Sequence, residues 1–317
     1  MTSDRASRTA EYVAFFRALE SARPPGRRLF HDPFAIHFLR PSLRRAVCLS
    51  RLPLLGAVVP WYTDWRLPGA RTSGIARTCL IDAALIQAVR DGIRQVVVLG
   101  AGFDCRAYRL ADVGPATVFE VDHPATRSVK LAHLRRTLPA MPENVHFVEM
   151  DFNRQRLPDV LRQAGFEPWR AAVFLWEGVT NYLTAEAVDA VLRFVASCAV
   201  GSRLIFTYVD RRALDGSARF ADAADLLRNV ERLGEPWTFG LDPEELPDYL
   251  RARGLHVERD LGAREYRRQY FGPDGERMKG YDFYHVAITS VPMRAVGSAP
   301  VPLVGAGEAA SRKGSDA

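Results

Sequence analysis

Val96-Val97-Val98-Leu99-Gly100-Ala101-Gly102-Phe103-Asp104 is the stretch on which the fold turns. With Gln95 it opens as a short, β-branched apolar run without polar alternation, the pattern of a strand buried on both faces of a parallel sheet. The run ends in G-x-G. Two glycines let the backbone approach a ligand closely, and the N-terminus of a following helix would favour negative charge there. A dinucleotide fingerprint wants a third Gly or Ala at its sixth position, where this chain has Cys105, and that argues against a bound pyrophosphate.

Working outward, strand patterns lie at 95–99, 117–121, 145–149, 171–176 and 203–209, with helical stretches at 124–138, 156–164 and 184–199 between them. Pro124 suits a first helical position. Asp242-Pro243-Glu244-Glu245 starts a helix that Gly254 ends before a strand at 255–258, and Tyr284 to Thr289 is the last strand. Strands alternating with helices predict an α/β fold, a doubly wound, mostly parallel, Rossmann-like sheet of seven strands. The first ninety residues read as a helical cap. Tyr12, Phe15, Phe16 and Leu19 share one helical spacing, Phe34, Phe38 and Leu39 another, and 75–89 is an amphipathic helix. The division is thus a cap over 1–90, a core over 91–290 and a disordered tail over 291–317. Residues 211–240 interrupt the alternation after the fifth strand. Phe220, Ala223, Leu227 and Val230 make one face there, which reads as a lid or as an ordinary packing helix.

Acidic residues recur at four successive strand ends: Asp104, Asp122, Asp151 and Glu177. Parallel strands bring their carboxyl ends to one edge of the sheet, where α/β folds bind ligands. Asp122 lies twenty-two residues past Gly100, the place of a carboxylate that accepts both hydroxyls of a ribose. Singly, each acid reads as a turn carboxylate or helix cap. Together they describe a site for a ligand with a ribose, an exocyclic amine and a positive charge, which fits S-adenosylmethionine better than NAD.

In order along the chain, HDPFA (31–35), IARTCLIDAAL (75–85), VVVLGAGFDCRAYRL (96–110), VFEVDHPATRSVK (118–130), HFVEMDF (146–152) and FLWEGVTNYL (174–183) resemble the leucine carboxyl methyltransferase family. These are class I S-adenosylmethionine-dependent methyltransferases, and the likeness is to the bacterial branch. The resemblance implies that Arg77 holds the methionine carboxylate, a charge-assisted contact with bidentate geometry. It implies that Gly100 and Gly102 pass under the methionine portion, that Asp122 takes the ribose hydroxyls, and that Asp151 and Phe152 bracket the adenine. Glu177 falls where the family places an acid near the cofactor's amino group and the transferred methyl. Tyr182 shares that segment without an assigned role.

The 317 residues are 48% hydrophobic and 25% charged, average for a globular protein. The longest apolar run, Leu52 to Trp61, is ten residues, about half of what a bilayer-spanning helix needs. The opening MTSDRASRTAEY lacks a secretory apolar region. Cys48, Cys79, Cys105 and Cys198 form no C-x-x-C pair, so neither a zinc site nor a disulfide framework is expected. A cytoplasmic protein without a membrane partner is the expectation. Net charge is +6, carried wholly by residues 1–60, where ten arginines face four acids. That surplus is too dilute for a nucleic-acid interface and reads as solvated helix faces or as a weakly cationic cap for an acidic small-molecule acceptor.

An ionised carboxylate acceptor needs no general base, and no histidine except His123 lies beside the expected site. His123, before Pro124, reads as a turn residue. If the acceptor were a phenol or alcohol, Glu177, Tyr208 or Asp210 would be the side chains to consider as base. The expectation is therefore an O-methyltransferase forming a methyl ester on a small metabolite. Methylation of a phenol, an alcohol or a protein carboxyl is the alternative within that class. An NAD-dependent oxidoreductase and a non-catalytic cofactor-binding module are the alternatives outside it.

Overall fold

The structure, a computed structural model, describes residues 8–53, 56–152, 154–220, 223–232, 234 and 236–293. The expected tail beyond 293 and residues 221, 222, 233 and 235 of the expected lid lie outside the described residues.

Four helices come first: α1 (Arg8–Ser21), α2 (Pro41–Leu49), α3 (Val58–Arg66) and α4 (Ala70–Arg90). Then follow β1 (Gln95–Leu99), α5 (Arg106–Arg109), β2 (Thr117–Asp122), α6 (Pro124–Thr137), β3 (Val145–Glu149), α7 (Leu157–Gln163), β4 (Ala172–Trp176), α8 (Ala185–Ser197) and β5 (Arg203–Val209). The chain continues through α9 (Arg211–Asp215), α10 (Ala223–Arg232), α11 (Leu246–Arg251), β6 (His256–Gly262), α12 (Ala263–Phe271), α13 (Pro273–Arg277) and β7 (Tyr284–Ser290). The strands form one sheet in the order β3-β2-β1-β4-β5-β7-β6, parallel except for β7, which runs antiparallel to both of its neighbours.

Both faces of the central strands are covered. Val97 and Leu99 of β1, Phe174 and Trp176 of β4, and Phe206 and Tyr208 of β5 pack into the layer under α7, α8 and α11. The alternate residues Val96, Val98, Val173, Leu175 and Ile205 pack into the layer with α4 and α12. That two-sided burial is why these strands read as continuous apolar runs. The direction of winding reverses at β1, which lies between β2 and β4. A crevice opens at such a point beyond the strand ends.

Two expectations need correction. The 34–39 segment is one 3₁₀ turn, Ala35–Phe38, because Asp32 Oδ1 accepts from the main-chain nitrogens of Phe34 and Ala35 at 3.0 and 2.9 Å and tightens the chain there. Residues 75–89 are helical and two-faced only in their second half, where Ala83 and Gln87 are exposed and Leu85, Ala88 and Val89 are buried. In the first half, between the sheet, α1 and α12, α4 buries Ile75, Ala76, Arg77, Thr78, Leu80, Ile81 and Asp82, with Cys79 part-buried. No helix among the described residues is long and apolar enough to cross a membrane.

Candidate cofactor and active site

Gly100 and Gly102 both adopt left-handed backbone, φ +64° and +46°, a conformation that costs a residue with a Cβ roughly 1–2 kcal/mol. A Cβ on Gly100 would lie 2.5 Å from Val179 Cγ2, so the loop after β4 rests directly on the glycine turn. Ala10 of α1 lies against Gly102, where an added Cβ would sit 3.4 Å from it. The helix expected after this loop is a single turn, α5, so its end offers little of a helix dipole. Asp104 Oδ1 accepts from Arg106 N at 2.7 Å, and the positive charge near the loop comes from arginine side chains instead.

Asp122 ends β2 with its carboxylate turned onto this turn. Oδ2 accepts from Gly102 N at 2.6 Å and Oδ1 from His123 N at 2.7 Å. Burial pushes its carboxyl up, and these two donors pull against that shift. Each oxygen keeps a lone pair for a further donor. His123 Nδ1 accepts from Ala125 N at 3.3 Å, so this residue caps α6, as a turn residue does. Below it, Glu120 and Lys130 form a fully buried pair at 2.7 Å that joins β2 to α6. Asp151 and Phe152 follow β3 at the same edge, with Phe152 half-buried against the core. Asp151 N donates to Gln155 Oε1 at 2.9 Å.

Glu177, just past β4, is gripped on both oxygens. Arg77 Nε lies 2.8 Å from Oε1 and Arg106 Nη1 lies 2.9 Å from Oε2. Burial opposes ionisation here, but Arg106 and Arg77 outweigh it and hold the carboxyl below its ordinary range. The pair opens into a chain of buried charges that sequence reading did not find. Arg106 also binds Asp104, and its Nε meets Asp82 Oδ1 at 2.8 Å. Arg109 Nη2 is 2.6 Å from Asp82 Oδ2, and Arg109 Nε is 3.7 Å from Asp32 Oδ2. Arg17 Nε is 2.9 Å from the same Asp32 oxygen, and Arg17 also donates to the main-chain oxygen of Phe103 in the glycine loop. Four arginines thus face four carboxylates. Asp104 is held down at about 2, against burial, by Arg106, Lys130 and Arg17. Asp32, Asp82 and Arg106 all lie within the motifs quoted above. What those motifs hid was the pairing, across 24 residues for Arg106 with Asp82 and 100 for Arg77 with Glu177.

Tyr284 was missed as well: its ring lies under the Arg77 guanidinium, 5.0 Å from centroid to Cζ. Tyr182 donates to Thr9 Oγ1 of α1 at 3.4 Å and meets the Trp237 ring edge-on. The other two base candidates stand in different surroundings. Tyr208 is fully buried, with its hydroxyl on Asp260 Oδ2 at 2.6 Å; burial and that carboxylate push the phenol far up. Asp210 caps α9 through Arg212 N at 2.9 Å and pairs with the Arg212 guanidinium. A cationic groove of about 530 Å³, edged by Arg8, Arg40, Arg44 and Arg45, backs onto Phe103 on the cap side and is not lined by Arg77, Asp122 or Glu177.

The arrangement fits a ligand with a ribose and a zwitterionic amino-acid end. Asp122 offers free lone pairs, Gly100 and Gly102 leave two positions of the turn without a Cβ, and Arg77 with Glu177 presents one charge of each sign. The profile of the leucine carboxyl methyltransferase family matches residues 10–196. A Frankia alni protein assigned as an S-adenosyl-L-methionine-dependent methyltransferase is 34% identical over 222 residues, 69% of this chain and 75% of that one. A Mycobacterium avium protein assigned the same activity is 39% identical over 243 residues, 74% and 73% of the two chains. A solved structure assigned as a methyltransferase, from Thermobifida fusca, shares the fold with TM-score 0.57 at 19% identity, covering 89% of this chain and 94% of its own. By these matches the chain belongs to the leucine carboxyl methyltransferase family and is an S-adenosylmethionine-dependent methyltransferase.

Proposed function

We propose that the protein is an O-methyltransferase that esterifies a carboxylate of a small acidic metabolite. One observation carries the reading: Glu177, the acid at the centre of the site, is shared between Arg77 and Arg106 and held ionised below its ordinary range. A carboxylate so stabilised is a weak proton acceptor. The Tyr208 phenol, bonded to Asp260 and pushed up, is no better placed to take a proton. An acceptor already ionised at neutral pH asks for no base. In this reading Arg77 pairs with the methionine carboxylate and Glu177 with its ammonium. Asp122 takes the ribose hydroxyls, and Asp151 and Phe152 flank the adenine. When bound, S-adenosylmethionine supplies a methyl group on a sulfonium, and the chain's task is to align the acceptor with it and exclude water. The arginine surplus of residues 1–60 fits an acidic acceptor drawn in by long-range charge, so replacing Arg40, Arg44 and Arg45, which do not line the site, should raise acceptor KM in a salt-dependent way and leave cofactor affinity unchanged.

The test is methyl transfer from radiolabelled S-adenosylmethionine to a panel of carboxylic acids and phenols. The product is then treated with alkali, which releases methanol from an ester and leaves an aryl ether intact. Alkali-labile label is expected; label confined to alkali-stable products would overturn the carboxylate. Asp122→Asn serves as the binding control. Hydrogen bonds to a charged group are worth roughly 1.5–3 kcal/mol, so affinity for S-adenosylhomocysteine should fall by about 10- to 150-fold. An unchanged affinity would remove Asp122 from the site.

A further inference from the structure

Beside the Arg77–Glu177 pair lies a cluster of aromatic rings drawn from three separate parts of the chain. Tyr182 comes from the loop after β4, Phe220 and Trp237 from the segment after β5, and Tyr281, Phe283 and Tyr284 from the entry to β7. The Trp237 ring meets Tyr182, Phe283 and Tyr284 at steep angles, centroids 6.4, 6.4 and 6.0 Å apart. Tyr284 carries the Arg77 guanidinium on its face, so the cluster is continuous with the site. Tyr281 holds left-handed backbone, φ 54°. Non-glycine residues keep that conformation only where the surroundings enforce it, and such positions gather at ligand sites.

Two polar side chains, Trp237 of this cluster and Asn181 next to Tyr182 in the chain, lack partners among the described residues. Asn181 is 1% exposed, and neither its Nδ2 nor its Oδ1 is hydrogen-bonded. Trp237 Nε1 is buried and equally unpartnered. The segments that carry them are tied together, since Thr238 N donates to the main-chain oxygen of Asn181 at 2.7 Å. Buried amides and indoles ordinarily find partners, and a native exception asks for an explanation such as a ligand. Trp176 Nε1 and the Tyr266 hydroxyl are also unpartnered, but they sit inside the two core layers. Asn181 and Trp237 together offer three N–H donors and one acceptor, a set weighted toward an oxygen-rich, proton-poor group.

We propose that Asn181 and Trp237 are acceptor-binding residues, and that the acceptor is a planar aromatic carboxylate whose ring enters this cluster while its oxygens take hydrogen bonds from the two side chains. This rests on the carboxylate reading above and adds the aromatic body. Rings disposed edge-to-face favour a further ring over an alkyl chain of similar size.

The test titrates protein saturated with S-adenosylhomocysteine with 2-naphthoate, octanoate and 2-naphthol, in the wild type, Trp237→Phe and Asn181→Leu. The expected result is 2-naphthoate binding at least tenfold more tightly than octanoate. Each substitution should weaken 2-naphthoate at least fivefold and octanoate less than twofold, with S-adenosylhomocysteine affinity within twofold throughout. Asn181→Leu removes an unsatisfied buried amide from a nearly isosteric side chain, so the unliganded variant should melt at or above the wild-type temperature; a structural asparagine would give a lower one. Equal affinity for octanoate and 2-naphthoate, or variants that change neither, would overturn the aromatic site, and octanoate could still be esterified, leaving the carboxylate reading in place. Methylation of 2-naphthol but not of 2-naphthoate would overturn both.

Discussion

Replacing Arg106 by Met tests whether the buried charges position Glu177. Arg106 is 4% exposed and touches three carboxylates: Asp82, Asp104 and Glu177. Methionine keeps much of the apolar stem and removes the cation. Glu177 would retain Arg77, and Asp82 would retain Arg109, but Asp104 would lose the one cation paired with it among the described residues. Breaking a buried pair on one side costs roughly 3–5 kcal/mol, and the two surviving arginines place the expectation near 4 kcal/mol at pH 7. Against a total of roughly 5–15 kcal/mol this is a large fraction, readable from urea melts. The sign with pH follows from linkage. In the wild type, Asp104 and Glu177 are depressed, so their stabilisation is full above the unfolded values and is lost as pH falls. In the variant, burial without Arg106 raises them, so protonation relieves the variant. The gap between the two proteins should therefore narrow from pH 7 to pH 4. Arg162→Met, on an arginine side chain 72% exposed in its pair with Asp159, should change stability by less than about 0.5 kcal/mol. A loss under about 1 kcal/mol for Arg106→Met, or one that does not vary with pH, would refute the reasoning.

Two alanines read the glycine turn. Gly201, φ +83° with nothing near its Cβ position, should cost about 1–2 kcal/mol when made Ala, from backbone alone; Gly100→Ala adds the Val179 contact and should cost more and weaken cofactor binding. Equal losses and unaltered binding would mean Val179 yields freely. Tyr208→Phe leaves Asp260 short of a donor and should destabilise by about 1–3 kcal/mol, with kcat within a few-fold of wild type; a kcat collapse with intact folding would restore the phenol as a base. Asp104 contributes about 2 kcal/mol, from 3.8 in its ordinary state to about 2 here, and this is lost as pH falls through that window in acid-unfolding curves. Replacing it by Asn should flatten that part of the curve.

The strand positions, and the sheet edge at which their acidic ends gather, were legible because both depend on local signals. Two-sided burial writes β1, β4 and β5 as apolar runs, and a carboxylate after a strand marks the edge wherever the strand sits. The short α5 escaped because G-x-G predicts a turn but says nothing of how soon the chain must return to β2. The charge chain escaped for a different reason. Asp32, Asp82 and Arg106 each look like an ordinary surface or capping residue until the fold buries them, and no periodicity links residues 24 or 100 positions apart. Burying a charge is tolerable only when its counterpart is buried too, so the requirement is on the set. Arg17, Arg77, Arg106 and Arg109 balance Asp32, Asp82, Asp104 and Glu177. That balance bears on what can enter. A ligand bringing a carboxylate alone would leave the set with an excess negative charge if it took Arg77. A zwitterionic amino-acid end brings both signs, so it can exchange the Arg77–Glu177 pair for two pairs of its own without altering the net buried charge. On the proposed reading, a methionine end held between Arg77 and Glu177 would keep this chain of buried charges paired.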